Sequence, residues 1–521
     1  MEPSAIIRRA ATSYAACVAV SFEGREQTYK ELFDRACRLA NAFISRGAAP
    51  GDRVAVLSDN AFETIEIAAA CALANCARAT LYTYNSAAVN RYLLGLTGAR
   101  ILVIQAKYFV DIAPLLGDLP ELKAVLVYGG PCGDSAEDYE SAIAAAEPKD
   151  PAVPVRPDDV HIIRFSSGTT GKPKGIFHTV QRWEAFNNEW AWVTPTMNER
   201  SRYLVPIALA HLGVALLWSA LAVGARIVPM IAFDPRRTLE LIASEAITHA
   251  AVAPVMIREM VAQPEARSLD LSSLQCLLYA GSPIAPATLR AAIEIFGPCL
   301  HQLYGQSEAV PATMLLPHQH VTQGTEAELR RLRSVGRASA NVSVTIRDEK
   351  GHALPAGEIG EIAVLGPSTM SGIWGDPDAT VARKLADGSV LTRDMGYLDE
   401  DGFLYLVDRK DDMIISGGFN IWPTELESAL HEHPAVAEAC VFGIPDAKWG
   451  ETPRAVVVLR PGAQVSAEEL TAHTRSIVGG VKKVTSIDFT TELPRTANGK
   501  VQRSQLKAPF WSGHASRIAG S

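Results

Sequence analysis

A short stretch rich in glycine and hydroxyl side chains, FSSGTTGKPKG, runs from Phe165 to Gly175 and holds the residue types that bind anions. Its residues include three glycines, four hydroxyl side chains and two lysines. Glycine lets a backbone approach a ligand closely. Hydroxyl and amide groups donate hydrogen bonds to anionic oxygens, and lysines neutralise the charge. The composition of this stretch predicts a loop that binds phosphate.

The spacing of the stretch differs from that of a Walker A loop, which has four residues between its glycines and then enters a helix as Gly-Lys-Ser/Thr. Only two threonines separate Gly168 from Gly171, and Pro173 follows Lys172. Proline removes an N–H donor and favours an extended backbone at the residue before it. A phosphoryl-transfer kinase is therefore disfavoured, and a flexible Gly/Ser surface loop is the alternative without function.

The composition of the chain excludes several classes of protein. Its 521 residues predict two or more domains, and 48% hydrophobic with 20% charged residues is typical of an ordinary globular protein. A net charge of -8 gives no general attraction for nucleic acid or anionic membranes. The N-terminus makes a poor signal peptide, no run of about 18 apolar residues predicts a membrane span, and the eight scattered cysteines disfavour zinc. We expect a cytoplasmic protein.

The order of predicted elements indicates an α/β fold. The segments DRVAVLS, ARILVIQ and KAVLVYG are typical of buried parallel strands, and KELFDRACRLANAFISRG is an amphipathic helix that stops at a glycine. Alternation of this kind continues beyond residue 224 and predicts a large N-terminal domain with parallel sheets. After about Ser334 a small β module follows, and the last hundred residues read as an α+β domain. The predicted domains are residues 1–409 and a mobile C-terminal domain of residues 410–521.

Four motifs follow one another along the chain: FSSGTTGKPKG, LYGQSE, TRDMGYLDEDGFLYLVDRKDDMIISGGFN and PRTANGK. Together, and in this order, they resemble the motifs of the adenylate-forming superfamily of acyl-CoA synthetases, adenylation domains and luciferases. The resemblance covers about residues 25 to 505 and is greatest to AMP-forming fatty-acid or aryl-acid CoA ligases. It implies ATP, Mg²⁺ and coenzyme A as cofactors.

The resemblance also implies roles for individual residues. Glu308 would hold Mg²⁺, Lys500 would stabilise charge as the adenylate forms, and His211 would lie between the acid and the nucleotide. Asp411 would be the hinge of the C-terminal domain. The predicted cofactor-binding residues are, for the outer phosphates of ATP, Ser166, Ser167, Gly168, Thr169, Thr170, Gly171 and Lys174; for adenine and its surroundings, Ala280, Gly281, Ser282, Tyr304 and Gly305; for the phosphate region, Ser307; for ribose, Asp394 and Arg409; and for the pantetheine arm, Gly417 and Gly418.

One residue of the third motif departs from the family's pattern. Arg393 stands where the family has a glycine before the predicted ribose-binding residue Asp394.

Four aromatic residues after the predicted phosphate loop are candidate walls of an apolar acid pocket: Trp183, Phe186, Trp190 and Trp192. Ala280 is a further candidate wall. No acidic residue at the pocket matches the one that amino-acid activators use for an ammonium group, so we expect a hydrophobic monocarboxylic acid, either medium- or long-chain fatty, alicyclic or aryl.

The predicted reaction has two steps. The acid and Mg·ATP give an acyl-adenylate and pyrophosphate, and coenzyme A then takes the acyl group as a thioester. A stand-alone adenylation enzyme that loads a carrier protein, and a nucleotide sensor without catalysis, are the alternatives. The predicted partners are small molecules, without nucleic acid or a transmembrane segment, and the sequence leaves the oligomeric state open.

Overall fold

The computed structural model describes residues 1–166, 173–282, 284–416, 419–446, 448–479, 483–495 and 501–512, and within these ranges it leaves out the side chains of Asp411 and Asn420. The chain forms two compact units. The first consists of Met1–Val344 and Val364–Thr392, and the second of Thr345–Ala363 and Arg393–Ser521. The boundary predicted between residues 409 and 410 is the point about which the C-terminal domain would swing. A division into compact units does not test such a movement, so that boundary stays a prediction.

The strands of the described ranges belong to four sheets. In chain order they are β1 Val18–Phe22, β2 Arg25–Thr28, β3 Arg53–Leu57, β4 Ala77–Thr80, β5 Ile101–Gln105, β6 Ala124–Tyr128, β7 Glu137–Asp138, β8 Val160–Ser166, β9 Lys174–Thr179, β10 Arg202–Val205, β11 Arg226–Pro229, β12 His249–Val252, β13 Cys276–Ala280, β14 Leu300–Gln306, β15 Ala309–Leu315, β16 Arg337–Ala338, β17 Ser343–Arg347, β18 Gly360–Leu365, β19 Gly372–Ile373, β20 Val390–Leu398, β21 Leu404–Arg409, β22 Ile414–Ser416, β23 Phe419–Ile421, β24 Val436–Asp446, β25 Gly450–Leu459 and β26 Ser486–Thr490.

The helices lie mainly between the strands. The α-helices are α1 Pro3–Ser13, α2 Tyr29–Ser45, α3 Phe62–Leu73, α4 Ala87–Thr97, α5 Ala106–Ile112, α6 Tyr139–Ala145, α7 Val180–Val193, α8 Leu217–Ala222, α9 Pro235–Ser244, α10 Pro254–Val261, α11 Pro286–Phe296, α12 Glu326–Arg330, α13 Pro377–Ala382, α14 Pro423–His431, α15 Ala467–Val478 and α16 Arg503–Trp511. Short 3-10 helices cover Ala113–Leu115, Leu212–Val214, Pro264–Arg267, Pro317–Gln319, Arg331–Arg333 and Lys410–Asp412.

Two large sheets form the first unit. Among the described residues, one has the strand order β16-β15-β14-β13-β12-β10-β11-β1-β2 and the other β19-β9-β8-β4-β3-β5-β6-β7. Their central strands are parallel, for example β3 with β4 and β5 and β13 with β12 and β14. The predicted α/β class with parallel sheets is confirmed. Parallel sheets form here because strands such as β5 and β6 carry apolar side chains that are buried on both faces of the sheet.

A local sequence signal sets the start of helix α2. Helix α2 begins with a capping box, in which the Glu31 amide donates to Thr28 Oγ1 at 3.2 Å and the Thr28 amide donates to Glu31 Oε2 at 2.8 Å. Its apolar face, which includes Leu32, Leu39 and Phe43, is fully buried. Within the part of the chain that the structure describes, no helix combines the length and apolar character needed to cross a membrane.

The smaller sheets complete the fold. The predicted β module is a sheet with the order β17-β18-β20-β21, and the division between the two compact units falls inside its strands. The second unit also contains the sheet β23-β22-β25-β24, with β26 beside β25, and helices α14 and α15. Its apolar core includes Leu426, Val441, Val457 and Leu470. This is the α+β domain predicted for the end of the chain.

Candidate functional site

The predicted phosphate loop lies between two paired strands. β8 ends at Ser166 and β9 begins at Lys174, and these two residues face each other across the antiparallel ladder. Ser167, Gly168, Thr169, Thr170 and Gly171 lie outside the described residues. β8 runs parallel to β4, so Ser166 stands at the carboxyl edge of the parallel strands, where open α/β sheets bind ligands.

The predicted adenine-binding residues come together at the carboxyl edge of the other sheet. β13 ends at Ala280, which pairs with Leu303 of β14, and Tyr304 follows directly. Gly281 has φ +97°, a left-handed backbone that glycine adopts without strain. A Cβ at Gly305 would lie 2.9 Å from the Ala309 carbonyl oxygen, so the tight hairpin between β14 and β15 requires glycine there.

The turn of that hairpin holds Ser307 and Glu308, and contacts from the other sheet fix its position. His178, on β9, forms a 2.8 Å hydrogen bond from Nε2 to the Ser307 carbonyl oxygen. Burial lowers the pKa of His178 to about 3, so the ring is neutral and donates through Nε2. The Met370 amide donates to the Glu308 carbonyl oxygen at 2.8 Å. The strand that leaves the predicted phosphate loop therefore holds the turn that carries Glu308.

Glu308 is buried and forms an ion pair that the sequence motifs did not reveal. Arg383 Nη2 donates to Glu308 Oε1 at 2.9 Å. No group of three His, Cys, Asp or Glu side chains in the described ranges could cage a metal. A single carboxylate nevertheless fits Mg²⁺, which proteins commonly bind through one or two carboxylates together with the phosphates of the substrate. Glu308 is the residue that would hold it.

His211 lies in an aromatic stack beside β8. Its ring stacks on Tyr82 with centroids 4.1 Å apart, and Tyr84 Oη lies 3.2 Å from His211 Nε2. Tyr82 Oη in turn donates to the Phe165 carbonyl oxygen at 2.7 Å. Burial, and secondarily the positive charge of Arg164, lowers the pKa of His211 to about 3. The histidine is thus held neutral next to the start of the predicted phosphate loop.

Two further residues near His211 were not predicted from the sequence. Asn60 is buried, accepts a hydrogen bond from the Leu209 amide at 2.8 Å, and donates from Nδ2 to the carbonyl oxygens of Val205, Ile207 and Met230. It therefore shapes the loop that leads to His211. Its place just after β3, at a carboxyl edge, was a usable signal. Arg164, on β8, is the other such residue: its positive charge acts on His211, and its buried Nε has no partner among the described residues.

The predicted ribose-binding residues meet in the second unit. Asp394 and Arg409 pair across β20 and β21, and Arg409 Nε lies 2.6 Å from Asp394 Oδ1. Arg393 has φ +61°, in the left-handed region. This backbone explains why glycine suits the position in the family, and the Arg393 amide is held by Glu361 Oε1 at 3.0 Å.

The predicted hinge segment is anchored by ion pairs within the second unit. Asp411 lies in the 3-10 helix Lys410–Asp412, and Lys410 Nζ contacts Glu361 Oε2 at 2.7 Å. On the other side, Arg503 Nη1 contacts Asp412 Oδ2 at 2.7 Å. Gly417, Gly418 and Lys500 lie outside the described residues, so their roles stay predictions.

The aromatic residues predicted for the acid pocket divide into two groups. Trp183, Phe186 and Trp190 are buried and pack into the apolar core of the first unit, with the rings of Trp183 and Phe186 stacked 4.5 Å apart. Trp192 is 72% exposed, so it walls no buried pocket and its predicted role was wrong. Successive residues of α7 face different sides, and the motif did not specify which side faces the acid.

Comparisons with known proteins agree with this geometry. Residues 7–374 match the model of the AMP-binding enzyme family, and residues 425–500 match the model of the AMP-binding enzyme C-terminal domain. The chain is 36% identical to a medium/long-chain-fatty-acid–CoA ligase of Mycobacterium tuberculosis, over 94% of this chain and 86% of that protein. It is 35% identical to a feruloyl-CoA synthase of an Amycolatopsis species, over 97% and 98%.

Solved structures show the same fold along nearly the whole chain. An amide bond synthetase from Marinactinospora thermotolerans superposes with a TM-score of 0.86 at 31% identity and covers 98% of this chain and 100% of that one. The o-succinylbenzoate CoA synthetase of Bacillus subtilis, in complex with its acyl-adenylate, gives 0.83 at 28% identity, covering 97% and 98%. The chain belongs to the AMP-binding enzyme family, and it is an adenylate-forming acid–thiol ligase.

Proposed function

We propose that this enzyme activates a hydrophobic carboxylic acid with Mg·ATP and transfers the acyl group to coenzyme A. The hydrogen bond between His178 and the Ser307 carbonyl oxygen carries the proposal, because it ties the strand after the phosphate loop to the turn that bears Glu308. The elements proposed to bind phosphate and the cation come from two different sheets, and this contact holds them together within one unit, as transfer of the adenylyl group requires.

In the first step a carboxylate oxygen of the acid attacks the α-phosphorus of ATP, and the bond to the β-phosphate oxygen breaks. The residues bracketing the loop, Ser166 and Lys174, would bind the leaving pyrophosphate. Bound Mg²⁺ would neutralise charge on the phosphate oxygens next to Glu308. Lys500 would stabilise the charge that builds between the two reactants.

In the second step the thiol sulfur of coenzyme A attacks the acyl carbon and gives up its proton to solvent, and AMP leaves with the electron pair of the bond between the acyl carbon and its phosphate oxygen. His211, held neutral in its aromatic stack, would line the path between acid and nucleotide. Asp394 and Arg409 would bind the ribose, and Asp411 would allow the swing that exchanges the two steps. Gly417 and Gly418 would leave room for the pantetheine arm.

The acid is proposed to be a medium- or long-chain fatty, alicyclic or aryl monocarboxylic acid. Relatives named for fatty acids, ferulate and indoleacetate support an apolar acid with one reacting carboxylate. A carrier protein is the alternative acceptor, because a relative from Streptomyces coeruleorubidus, 32% identical, is named a fatty acid–[acyl-carrier-protein] ligase. Location in the cytoplasm remains part of the proposal.

A panel of acids tests the reaction and its substrate. We expect AMP and pyrophosphate as products, with the highest kcat/KM for octanoate, palmitate, a cyclohexyl acid or benzoate rather than acetate, malonate or an amino acid. Since an apolar pocket discriminates by about 1 to 3 kcal/mol per methylene, several related acids should react. Formation of ADP and phosphate would contradict the proposed chemistry, and preference for malonate would contradict the apolar pocket.

The role of Lys500 has its own test. Lys500→Ala should raise the barrier to adenylate formation by about 3 to 4 kcal/mol, as loss of a transition-state donor does, and should spare thioester formation from a supplied acyl-adenylate. Equal damage to both steps would contradict this role. Omitting coenzyme A, with hydroxylamine as a trap for the adenylate, separates the first step from the choice of acceptor.

A further inference from the structure

The ion pair between Arg383 and Glu308 is fixed on the arginine side by the backbone. Arg383 follows the last residue of α13, where its amide bonds to the Thr380 carbonyl oxygen and its own carbonyl accepts from the Leu391 amide at 2.8 Å. The side chains are 15% and 7% exposed, so the guanidinium is held in place largely away from solvent.

Each partner in this pair has bonding capacity left over. Arg383 uses Nη2 for Glu308 Oε1, while its Nη1 is buried without a hydrogen-bond partner among the described residues. In the same ranges, the hydrogen bonds of the Glu308 carboxylate leave Oε2 unused. A guanidinium is planar and presents its N–H groups as a rigid fork. A buried N–H without an acceptor costs free energy that an arriving acceptor recovers.

The surroundings of α13 indicate which acceptor arrives. The other end of the helix is capped by Asp376, whose Oδ1 accepts from the Ala379 amide at 2.9 Å. Asp376 Oδ2 lies 3.5 Å from Lys174 Nζ, directly after the phosphate loop. The short segment from Asp376 to Arg383 thus runs from that lysine to the carboxylate proposed for Mg²⁺. A phosphate oxygen is the acceptor shared by these neighbours.

We propose that Arg383 is a nucleotide-binding residue: Nη2 orients Glu308 so that Oε2 is free for Mg²⁺, and Nη1 donates to a phosphate oxygen of ATP. The inference rests on the proposed function. It predicts that the arginine supports Mg²⁺ binding instead of competing with it, because the carboxylate offers a different oxygen to each cation.

Calorimetric titration of the whole protein with Mg·ATP tests this role. Arg383→Gln should weaken Mg·ATP binding about tenfold to a hundredfold, the loss typical of one hydrogen bond between charged groups. Arg383→Lys keeps the charge but not the fork, so its loss should be smaller. Arg8→Gln is the matched control, because Arg8 pairs with Asp150 at 2.7 Å in the same unit without touching the site. The affinity of this variant for Mg·ATP should equal that of the wild type.

The choice of ligand locates the contact. Weaker binding of both AMP and ATP would place Nη1 at the α-phosphate, and weaker binding of ATP and pyrophosphate alone would place it at the outer phosphates. Mg·ATP affinity within twofold of wild type in both Arg383 variants would overturn the inference, as would a loss confined to the acid. If the nucleotide-free melting temperature shows that Arg383→Gln is unfolded, Arg383→Lys decides. If the wild-type protein forms AMP while the Arg383 variants bind Mg·ATP normally, the inference about Arg383 fails but the proposed function stands.

Discussion

Removal of the Arg503 side chain should destabilise the predicted hinge region more than removal of an arginine with a more exposed partner in the same unit. Arg503 contacts Glu427 Oε1 at 2.8 Å, Asp412 Oδ2 at 2.7 Å and Asp408 Oδ1 at 3.5 Å. The Asp408 side chain is 3% exposed. The Thr424 amide also donates to Asp408 Oδ2 at 3.0 Å. Through its contacts, the guanidinium of Arg503 joins the segment before α14 to the first residue of α16.

The magnitude follows from the charge that would be left behind. Removing one partner of a buried ion pair costs about 3 to 5 kcal/mol, because the other partner keeps its desolvation penalty. Asp412 is 29% exposed, so we expect the lower end, about 3 kcal/mol for Arg503→Ala at pH 7.5. The control is Arg454→Ala, whose partner Asp488 is 46% exposed; it should cost about 1 kcal/mol or less.

The defect should also depend on pH in a defined direction. Burial raises the pKa of Asp408 above its ordinary value of 3.8, and the positive charge of Arg503 opposes that rise. Without Arg503 the folded-state pKa rises further. The destabilisation caused by the charged carboxylate is therefore present above that pKa and disappears as the pH falls through it, because Asp408 then becomes neutral in the folded protein.

Hydrogen exchange of peptides from α14 and β24, followed by mass spectrometry, reports the opening free energy of this region by itself. The expected result is a loss of protection in Arg503→Ala at pH 7.5 that becomes much smaller toward pH 4, with Arg454→Ala close to wild type. Protection within 1 kcal/mol of wild type at pH 7.5, or a defect of equal size at both pH values, would refute the argument.

Three further perturbations probe the site. His211 stays neutral when folded, so acidification from pH 7 to 5, across its ordinary pKa of 6.5, should reduce stability by about 2 kcal/mol more in wild type than in His211→Gln, as measured by urea denaturation; parallel curves would contradict the assigned pKa. Asn60→Leu strips buried backbone groups of their partners and should cost about 3 kcal/mol of stability and lower kcat, and an unchanged kcat would show that the His211 loop keeps its shape without Asn60. Asp394→Asn should raise the KM for ATP about tenfold with little change in the KM for the acid, and equal changes in both would argue against ribose binding.

The sequence by itself determined the chemistry that the chain can perform and the elements that carry it. Apolar runs such as those of β5 and β6, and the glycine that follows α2, act over a few residues, so their patterns predicted the parallel strands and the end of that helix. The predicted phosphate loop, the LYGQSE hairpin and the Asp394 segment each place several candidate residues within a short span of chain. Local motifs therefore identified the family and most of the candidate residues.

Tertiary structure decided which residues complete and position those motifs. Arg383 meets Glu308 from 75 positions away in the chain, and Asn60 reaches the loop after Val205 from 145 positions away. No local periodicity records such a contact, because the relevant quantity is a distance after folding. The side of α7 that faces the core was undetermined for the same reason, so the sequence placed Trp192 in a pocket although it is exposed.

The physical reason for this division lies in what each level of structure constrains. Backbone conformation and amphipathic patterning are set by neighbouring residues, so they are written in short stretches of sequence. A hydrogen bond such as that from His178 to Ser307 depends on how two sheets pack, and packing is decided by side chains drawn from the whole unit. The sequence of this protein predicts candidate residues for its chemistry, and only the folded chain determines how those residues pair.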